Sequence, residues 1–334
     1  MHQIRDKYME PLVSIIIVNY NGKHYLRDCF DSLYKGEYKA IEIIFVDNGS
    51  KDGSVEFVKD LYPDIKAVDV GANLGLAIAS NRGAKEAKGK YLFFFNNDTK
   101  ADGKMISELV KSAEARPEIG ICGCTTLTYD GKAIINSGVA CDIYGYPFGE
   151  GEPLYVDAAI FIRRDVFDEI GGFDEKMFLY GEDRDICWRT LVYGYDVVVA
   201  PGAFFLHDSF CSLNDGRYTT NIWKRHVGER NLIRSLLKNY SIGRLITILP
   251  RYLAISLAEI LMFILIGKFN VAFSAYLKAY WWNIGNLPET LKLRKKIQTE
   301  RRVDDRVIMK RMGKKSGKFE LFKKIGIPRF ASPD

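Results

Sequence analysis

Four apolar runs, each ending on polar residues, constrain this chain more than any other feature of its sequence. Leu12 to Asn19 (LVSIIIVN) is nearly unbroken and rich in Ile and Val, as a strand buried on both faces of a parallel sheet must be. Ile41 to Val46, Ile65 to Val70 and Tyr91 to Phe95 (YLFFF) repeat the pattern. Between the first two, Tyr25, Leu26, Cys29, Phe30 and Leu33 fall at helical spacing, with Gly36 placed to end the helix. Asp52 is placed to cap a second helix carrying Val55, Val58 and Leu61, which Pro63 stops. Strands alternating with helices of 10 to 15 residues mean βαβ units, so the fold class is α/β with a mostly parallel central sheet and flanking helices.

Such an open sheet binds ligands beyond the carboxyl ends of its strands. Asn21 follows the first strand, Asp47 and Asn48 end the second, Asn73 follows the third, and Asp98 ends the fourth within Asn96-Asn97-Asp98. Each alone suits a turn. Four along one edge point to a site. From residue 119 onward the strands shorten and the turns become Gly-rich, which reads as a mixed, acceptor-shaping half. Within it, Glu182, Asp183 and Asp185 open a helix straight after Phe178-Leu179-Tyr180-Gly181, more carboxylates than dipole capping needs. Asp185 and Arg189, four apart, suit an ordinary helix pair.

Charge narrows the partners. Of 334 residues, those from 289 to 334 carry 15 Lys/Arg against 6 Asp/Glu, a net +9 that leaves the first 288 residues at −3. A body of that sign does not suit nucleic acid. The tail suits an anionic lipid surface, with a plain solvated tail as the alternative. The beginning MHQIRDKYMEP has no apolar core of a secretory signal, so Cys29, Cys122, Cys124, Cys141, Cys187 and Cys211 are expected to be reduced and cytosolic. Cys122 and Cys124 have neither zinc nor redox spacing and read as buried strand residues.

Beyond residue 216 the chain turns helical. Thr219 to Asn239 carries Arg225, Arg230, Asn231 and Arg234, near a diphosphate or on an ordinary helix surface. Sixteen residues between Arg251 and Lys268 are apolar except for Glu259 and a few small polar groups, too few for a span. With VAFSAYLKAYWW after them they suit a monotopic membrane foot, or helices packed on the body or on a second subunit of an oligomer.

Taken in order, SIIIVNYNG, IFVDNGSKDGS, GANLG, FFFNNDT and GGFDE…FLYGEDRDICWR resemble glycosyltransferase family 2 with the GT-A fold, over about residues 12 to 210. The variant is similar to the rhamnosyltransferase-like and galactofuranosyltransferase-like branch. The QxxRW motif of processive members is missing. The resemblance implies a glycosyltransferase domain over 1–215, with a nucleotide-binding half 12–118 and an acceptor half 119–215, then a membrane-surface segment 216–288 and a basic tail 289–334.

It also implies the site. A UDP- or dTDP-sugar would lie with its base over the backbone of Val18, Asn19 and Tyr20, its imide N–H donated to Asp47, and Asn73 and Asn97 near the nucleotide. Asp98 and His207 would hold Mn²⁺ or Mg²⁺, with Asn96 where the family's first metal-site carboxylate stands. Asp183 would be the general base of an inverting displacement, and the clustering of Glu182, Asp183 and Asp185 would raise the pKa of at least one of them. Asp157, Phe173, Tyr180, Glu182 and Asn96 would shape the sugar and acceptor region. The acceptor would be a glycan or polyprenyl-linked saccharide, and the enzyme would sit in the cytoplasm on the inner face of the cell membrane. A nucleotidyltransferase or a non-catalytic sugar-nucleotide-binding scaffold is the rival reading.

Overall fold

A computed structural model describes residues 10–148, 152–208, 213–214 and 217–330. The N-terminal stretch and Cys211 lie outside the described residues. The chain forms two compact units, one of Met1–Gly138, Val156–Phe178 and Tyr195–Ser209, the other of Val139–Tyr155, Leu179–Gly194 and Phe210–Asp334. The stretch 119–215, read from sequence as one acceptor half, is therefore divided between them.

The first unit is built on one nine-stranded sheet. Its strands are β1 (Val13–Asn19), β2 (Ile41–Asp47), β3 (Lys66–Asp69), β4 (Tyr91–Phe95), β5 (Thr99–Ala101), β6 (Ile119–Thr128), β7 (Ile134–Asn136), β8 (Ala159–Arg163) and β9 (Asp196–His207). The order is β3-β2-β1-β4-β8-β6-β9-β5, with β7 on β6. β1 pairs in parallel with β2 and β4, whereas β8 enters antiparallel between β4 and β6. So the mixed strands extend the parallel sheet instead of forming a separate half. Helices α1 (Lys23–Lys35), α2 (Ser54–Leu61), α3 (Leu76–Glu86), α4 (Met105–Ala115) and α5 (Arg164–Ile170) complete it.

The apolar spacing explains the packing. Leu26, Cys29, Phe30 and Leu33 form the buried stripe of α1, in one cluster with Ile15, Ile17, Phe45 and Phe93 of the sheet. Cys122 and Cys124 are buried strand residues, as their spacing implies. The loops at the strand ends need glycine. Gly49 has φ +84° and a Cβ there would stand 2.7 Å from the Ala72 backbone. Gly75, at φ +93°, would meet the Phe178 carbonyl at 2.6 Å.

The second unit is mainly helical: α6 (Glu182–Val192), α7 (Ile222–Asn239), α8 (Ile242–Leu265), a π-helical stretch Ala272–Leu277 running into α9 (Lys278–Gly285), then α10 (Leu287–Glu300), α11 (Asp305–Met309) and α12 (Gly317–Ile325). Two expectations change here. The apolar segment is one 24-residue helix, long and apolar enough by composition to cross a membrane, because it begins ten residues before the apolar run and passes through Pro250. The basic tail is folded. Arg294 donates to the carbonyls of Leu237 and Tyr240, Gln298 to that of Lys238, and Arg301 to that of Asn239, so α10 and its sequel satisfy the orphan carbonyls at the end of α7.

Candidate active site

The parallel strands of the first unit deliver their polar ends to one edge. Asn19 and Asp47 stand in register at the ends of β1 and β2, both buried. Oδ2 of Asp47 accepts from the backbone N–H of Gly49 and Ser50, at 3.1 and 2.8 Å. Its Oδ1 is buried with no hydrogen-bond partner. Asn97 donates to Asn19 Oδ1 at 2.7 Å, and Asn19 donates to Ser50 Oγ at 3.0 Å. Asn48 donates to Asn73 Oδ1 and accepts from the Leu74 N–H, tying the second loop to the third. Val18 is half-buried and Tyr20 exposed beside them. The result is a rigid polar rim with one carboxylate oxygen left to receive a donor.

Asp98 and His207 meet at the far end of the same sheet. β5 and β9 pair antiparallel with Thr99 opposite His207, and the Asp208 N–H donates to the Asp98 carbonyl at 3.0 Å. That register sets His207 Nε2 3.2 Å from Asp98 Oδ1, yet this buried oxygen has no hydrogen bond. Two ligands in adjacent positions of an octahedral shell, with bonds of about 2.1 Å, stand about 3 Å apart. The pair fits a hard divalent cation. Among the described residues no group of three or more His, Cys, Asp or Glu side chains is arranged to hold an ion. Asp98 and His207 would therefore supply such an ion with two ligands.

Around this pair, Tyr25 donates to Asp208 Oδ2 at 2.9 Å, and the bond to that carboxylate raises the phenol to about 12. Asp157 accepts from Asn136 at 3.4 Å, and burial raises its carboxyl despite the nearby His207. The roles of Tyr25, Ser50 and Asp208 were not read from sequence, although NYNGKHY, DNGS and the HD pair contain them. Phe173 is a correction. It is buried edge-on against Phe94 and packed on Phe167, with its backbone gripped by Asn81, so it belongs to the core and not to a sugar pocket. Asn96 is half-buried, with its N–H donated to the Ala158 carbonyl.

The second unit carries the acidic cluster at the start of α6. Tyr180 and Gly181 have φ of +65° and +93°, and Asn231 of α7 donates to the carbonyls of Leu179 and Tyr180 at 3.0 and 2.7 Å. A strained turn held by a buried carboxamide presents the carboxylates. Asp183 Oδ1 accepts from the Arg184 N–H at 2.6 Å. The Glu182 carboxyl is raised to about 8, chiefly through burial and then through the Asp183 charge. Asp185 is fully buried and bonded to Arg189, Lys238, Ser235 and Asn239, so the pair with Arg189 forms but is interior. Arg225 and Arg234 likewise point inward. Arg234 is held by Thr290, and Arg225 by Tyr276 and Glu259, so neither lies on an ordinary helix surface.

Residues 14–171 match the family model described as Glycosyl transferase family 2. They belong to glycosyl transferase family 2. The family 2 segment carries the whole polar rim and Asp98. The chain is similar to the O-antigen biosynthesis protein RfbC of Myxococcus xanthus, 29% identical over 245 residues, covering 66% of this chain and 19% of that protein. It is also similar to the N-acetylglucosaminyl-diphospho-decaprenol L-rhamnosyltransferase of Mycobacterium tuberculosis, 25% identical over 237 residues, 60% of this chain and 76% of that one. The match thus spans about a fifth of the first relative and about three quarters of the second. Among solved structures, a Pyrobaculum calidifontis mannosyltransferase in complex with GDP-Man and Mn²⁺ superposes with TM-score 0.54 at 17% identity, over 88% of this chain and 86% of that chain. GalNAc-T7 with UDP, GalNAc and Mn²⁺ gives 0.55 at 18%, over 68% and 48%. The fold is GT-A.

Proposed function

We propose that the chain is an inverting, divalent-metal-dependent glycosyltransferase, moving a sugar from a UDP- or dTDP-sugar to a hydroxyl of a glycan or polyprenyl-linked saccharide in cell-surface polysaccharide assembly. The observation that carries this reading is the Asp98–His207 pair, 3.2 Å apart with no hydrogen bond between them, on the sheet whose strand ends hold Asp47. The unpartnered Asp47 oxygen accepts the imide N–H of uracil or thymine, and Asn19, Asn97 and Ser50 keep that rim in place. Asp98 and His207 would hold Mn²⁺ or Mg²⁺. Such an ion, when bound, offsets the charge gained by a departing diphosphate.

Direct displacement needs an acceptor hydroxyl stripped of its proton. Asp183 is the carboxylate that takes the proton, beside Glu182, whose own carboxyl burial pushes upward. The likeness to the mycobacterial N-acetylglucosaminyl-diphospho-decaprenol L-rhamnosyltransferase supports a diphospho-lipid acceptor, and with it a place at the membrane.

The test is release of nucleoside diphosphate. Purified protein is given UDP-, dTDP- and GDP-sugars with Mn²⁺, with and without lipid-linked saccharide, and compared with Asp183→Asn. Turnover of uracil or thymine donors that chelation stops and that substitution of Asp183 abolishes is the expected result. Nucleotide binding without turnover on any acceptor replaces the reading with a scaffold. Pyrophosphate release from a nucleoside triphosphate and a sugar phosphate replaces it with a nucleotidyltransferase.

A further inference from the structure

The second unit wears an apolar face that its own fold leaves uncovered. Along α8, Leu245, Ile248, Tyr252, Ser256, Ile260 and Phe263 are buried at intervals of three and four. The complementary positions Ile242, Ile246, Leu253, Leu257, Leu261 and Leu265 are 40 to 85% exposed. Phe269, Phe273, Trp281 and Ile284 continue the exposed row from the turn after α8 through the π-helical stretch into α9. From residue 252 to residue 267 every exposed side chain is apolar. Scattered exposed leucines need no explanation, but a continuous row does.

The opposite face of α8 is fastened by charge. Glu259 accepts from Arg225 of α7 and Lys318 of α12, each at 2.8 Å. Lys318 also pairs with Glu229 at 2.6 Å, Arg225 with Glu229 at 3.2 Å, and the Tyr252 hydroxyl donates to Glu229. The carboxylate that sequence sets in the middle of the apolar run is thus neutralised on the protein side. At 24 residues α8 is about 36 Å long, enough to cross a bilayer. Crossing would drag this cluster into hydrocarbon, where charges are costly.

Charge selects the occupant. Exposed charged side chains between residues 242 and 300 are Arg251, Lys268, Lys278, Lys292, Lys295 and Lys296 against Glu289 and Glu300. Arg251 and Lys268 bracket the uncharged row, as cations do at a headgroup layer. We infer that the outer faces of α8 and of the π-helix and α9 seat in the plane of an anionic bilayer, without crossing it. This deepens the lipid-borne acceptor proposed above, but it is read without any sugar chemistry.

The experiment is co-sedimentation of the full chain with vesicles of neutral phosphatidylcholine, and of the same lipid with 30% phosphatidylglycerol. Binding to the anionic vesicles, weaker to neutral ones and reduced at least about fivefold in Leu257→Glu/Leu261→Glu, is expected. Those positions are exposed, and an unchanged circular dichroism spectrum separates lost binding from lost fold. Arg251→Cys and Lys268→Cys should both react with an impermeant maleimide added outside the vesicles. A chain that stays in the supernatant, or sediments equally in the double variant, overturns the inference. So does a dimer by sedimentation velocity that Leu261→Glu dissolves without any vesicle binding. Labelling of only one of the two cysteines overturns the in-plane arrangement in favour of a span. Failure of turnover with intact vesicle binding counts against the enzymatic reading and leaves this one standing.

Discussion

Asp47 has one oxygen committed to its own turn and the other without a partner. In Asp47→Asn the carbonyl oxygen keeps the turn bonds and turns the amide NH₂ toward the base, so a uracil imide N–H then meets a donor. A hydrogen bond to a charged group contributes about 1.5–3 kcal/mol, so UDP should bind about 10- to 100-fold more weakly while CDP, whose ring nitrogen accepts, gains. Calorimetric titration with the two nucleotides checks this. His207→Ala should lower metal-stimulated nucleoside diphosphate release at least about 100-fold, measured against Mn²⁺ concentration. The place of Asp47 at a strand end was legible because strand-end polar residues have few structural reasons to line up, whereas His207 was singled out only by the family resemblance. Phe173 misled because an aromatic beside GG reads the same whether it faces ligand or core, and only its contacts with Phe94 and Phe167 decide.

At the scale of elements, the four parallel strands were legible from uninterrupted apolar runs, whereas α8 was not. Counting uncharged residues ends the run at Arg251, but the helix is set by the three-and-four spacing of Leu245, Ile248, Tyr252 and Ser256, which continues across Pro250. The partners of Glu229 were invisible for another reason: Lys318 is 89 residues away, and no local pattern links them. Burial alone would push the Glu229 carboxyl up, yet Lys318 and Arg225 hold it at about 2. Glu229→Ala leaves the buried cations Arg225 and Lys318 to share the single carboxylate of Glu259 and should cost about 3 kcal/mol, read by denaturant unfolding. Replacing an exposed neighbour such as Lys278 with Ala should change stability by no more than about 0.5 kcal/mol.

For the whole molecule, the buried acids set the pH range. Glu182, held near 8 against an ordinary 4.5, keeps its proton in the folded chain at pH values where the unfolded chain has released it. Stability is therefore full below 4.5 as far as this group is concerned, and falls as pH climbs through 8. Asp142, raised by burial to about 6, adds a decline from 3.8 upward. Glu229 acts oppositely, its contribution present above 4.5 and lost as pH falls toward 2. Melting temperature should accordingly fall between pH 5 and 8.5, and Glu182→Gln should flatten the upper part of that slope. Chain removal is a harsher perturbation. The C-terminal residues looked like a separable basic tail because composition reports charge and not its partners. Ending the chain before residue 301 takes away Lys318, the Gly317 N–H that Asp142 accepts and the cap that Arg301 gives α7, so the second unit should lose cooperative melting in calorimetry.

The main-chain pairing that sets Thr99 opposite His207, with the Asp208 N–H on the Asp98 carbonyl, holds the backbones of Asp98 and His207 side by side. Such a socket is modular. A carboxylate grafted in place of the imidazole would inherit the same anchorage, and ion preference should drift from manganese toward magnesium or calcium with no rebuilding of the scaffold. A single codon at position 207 should then retune the ion choice of the proposed site.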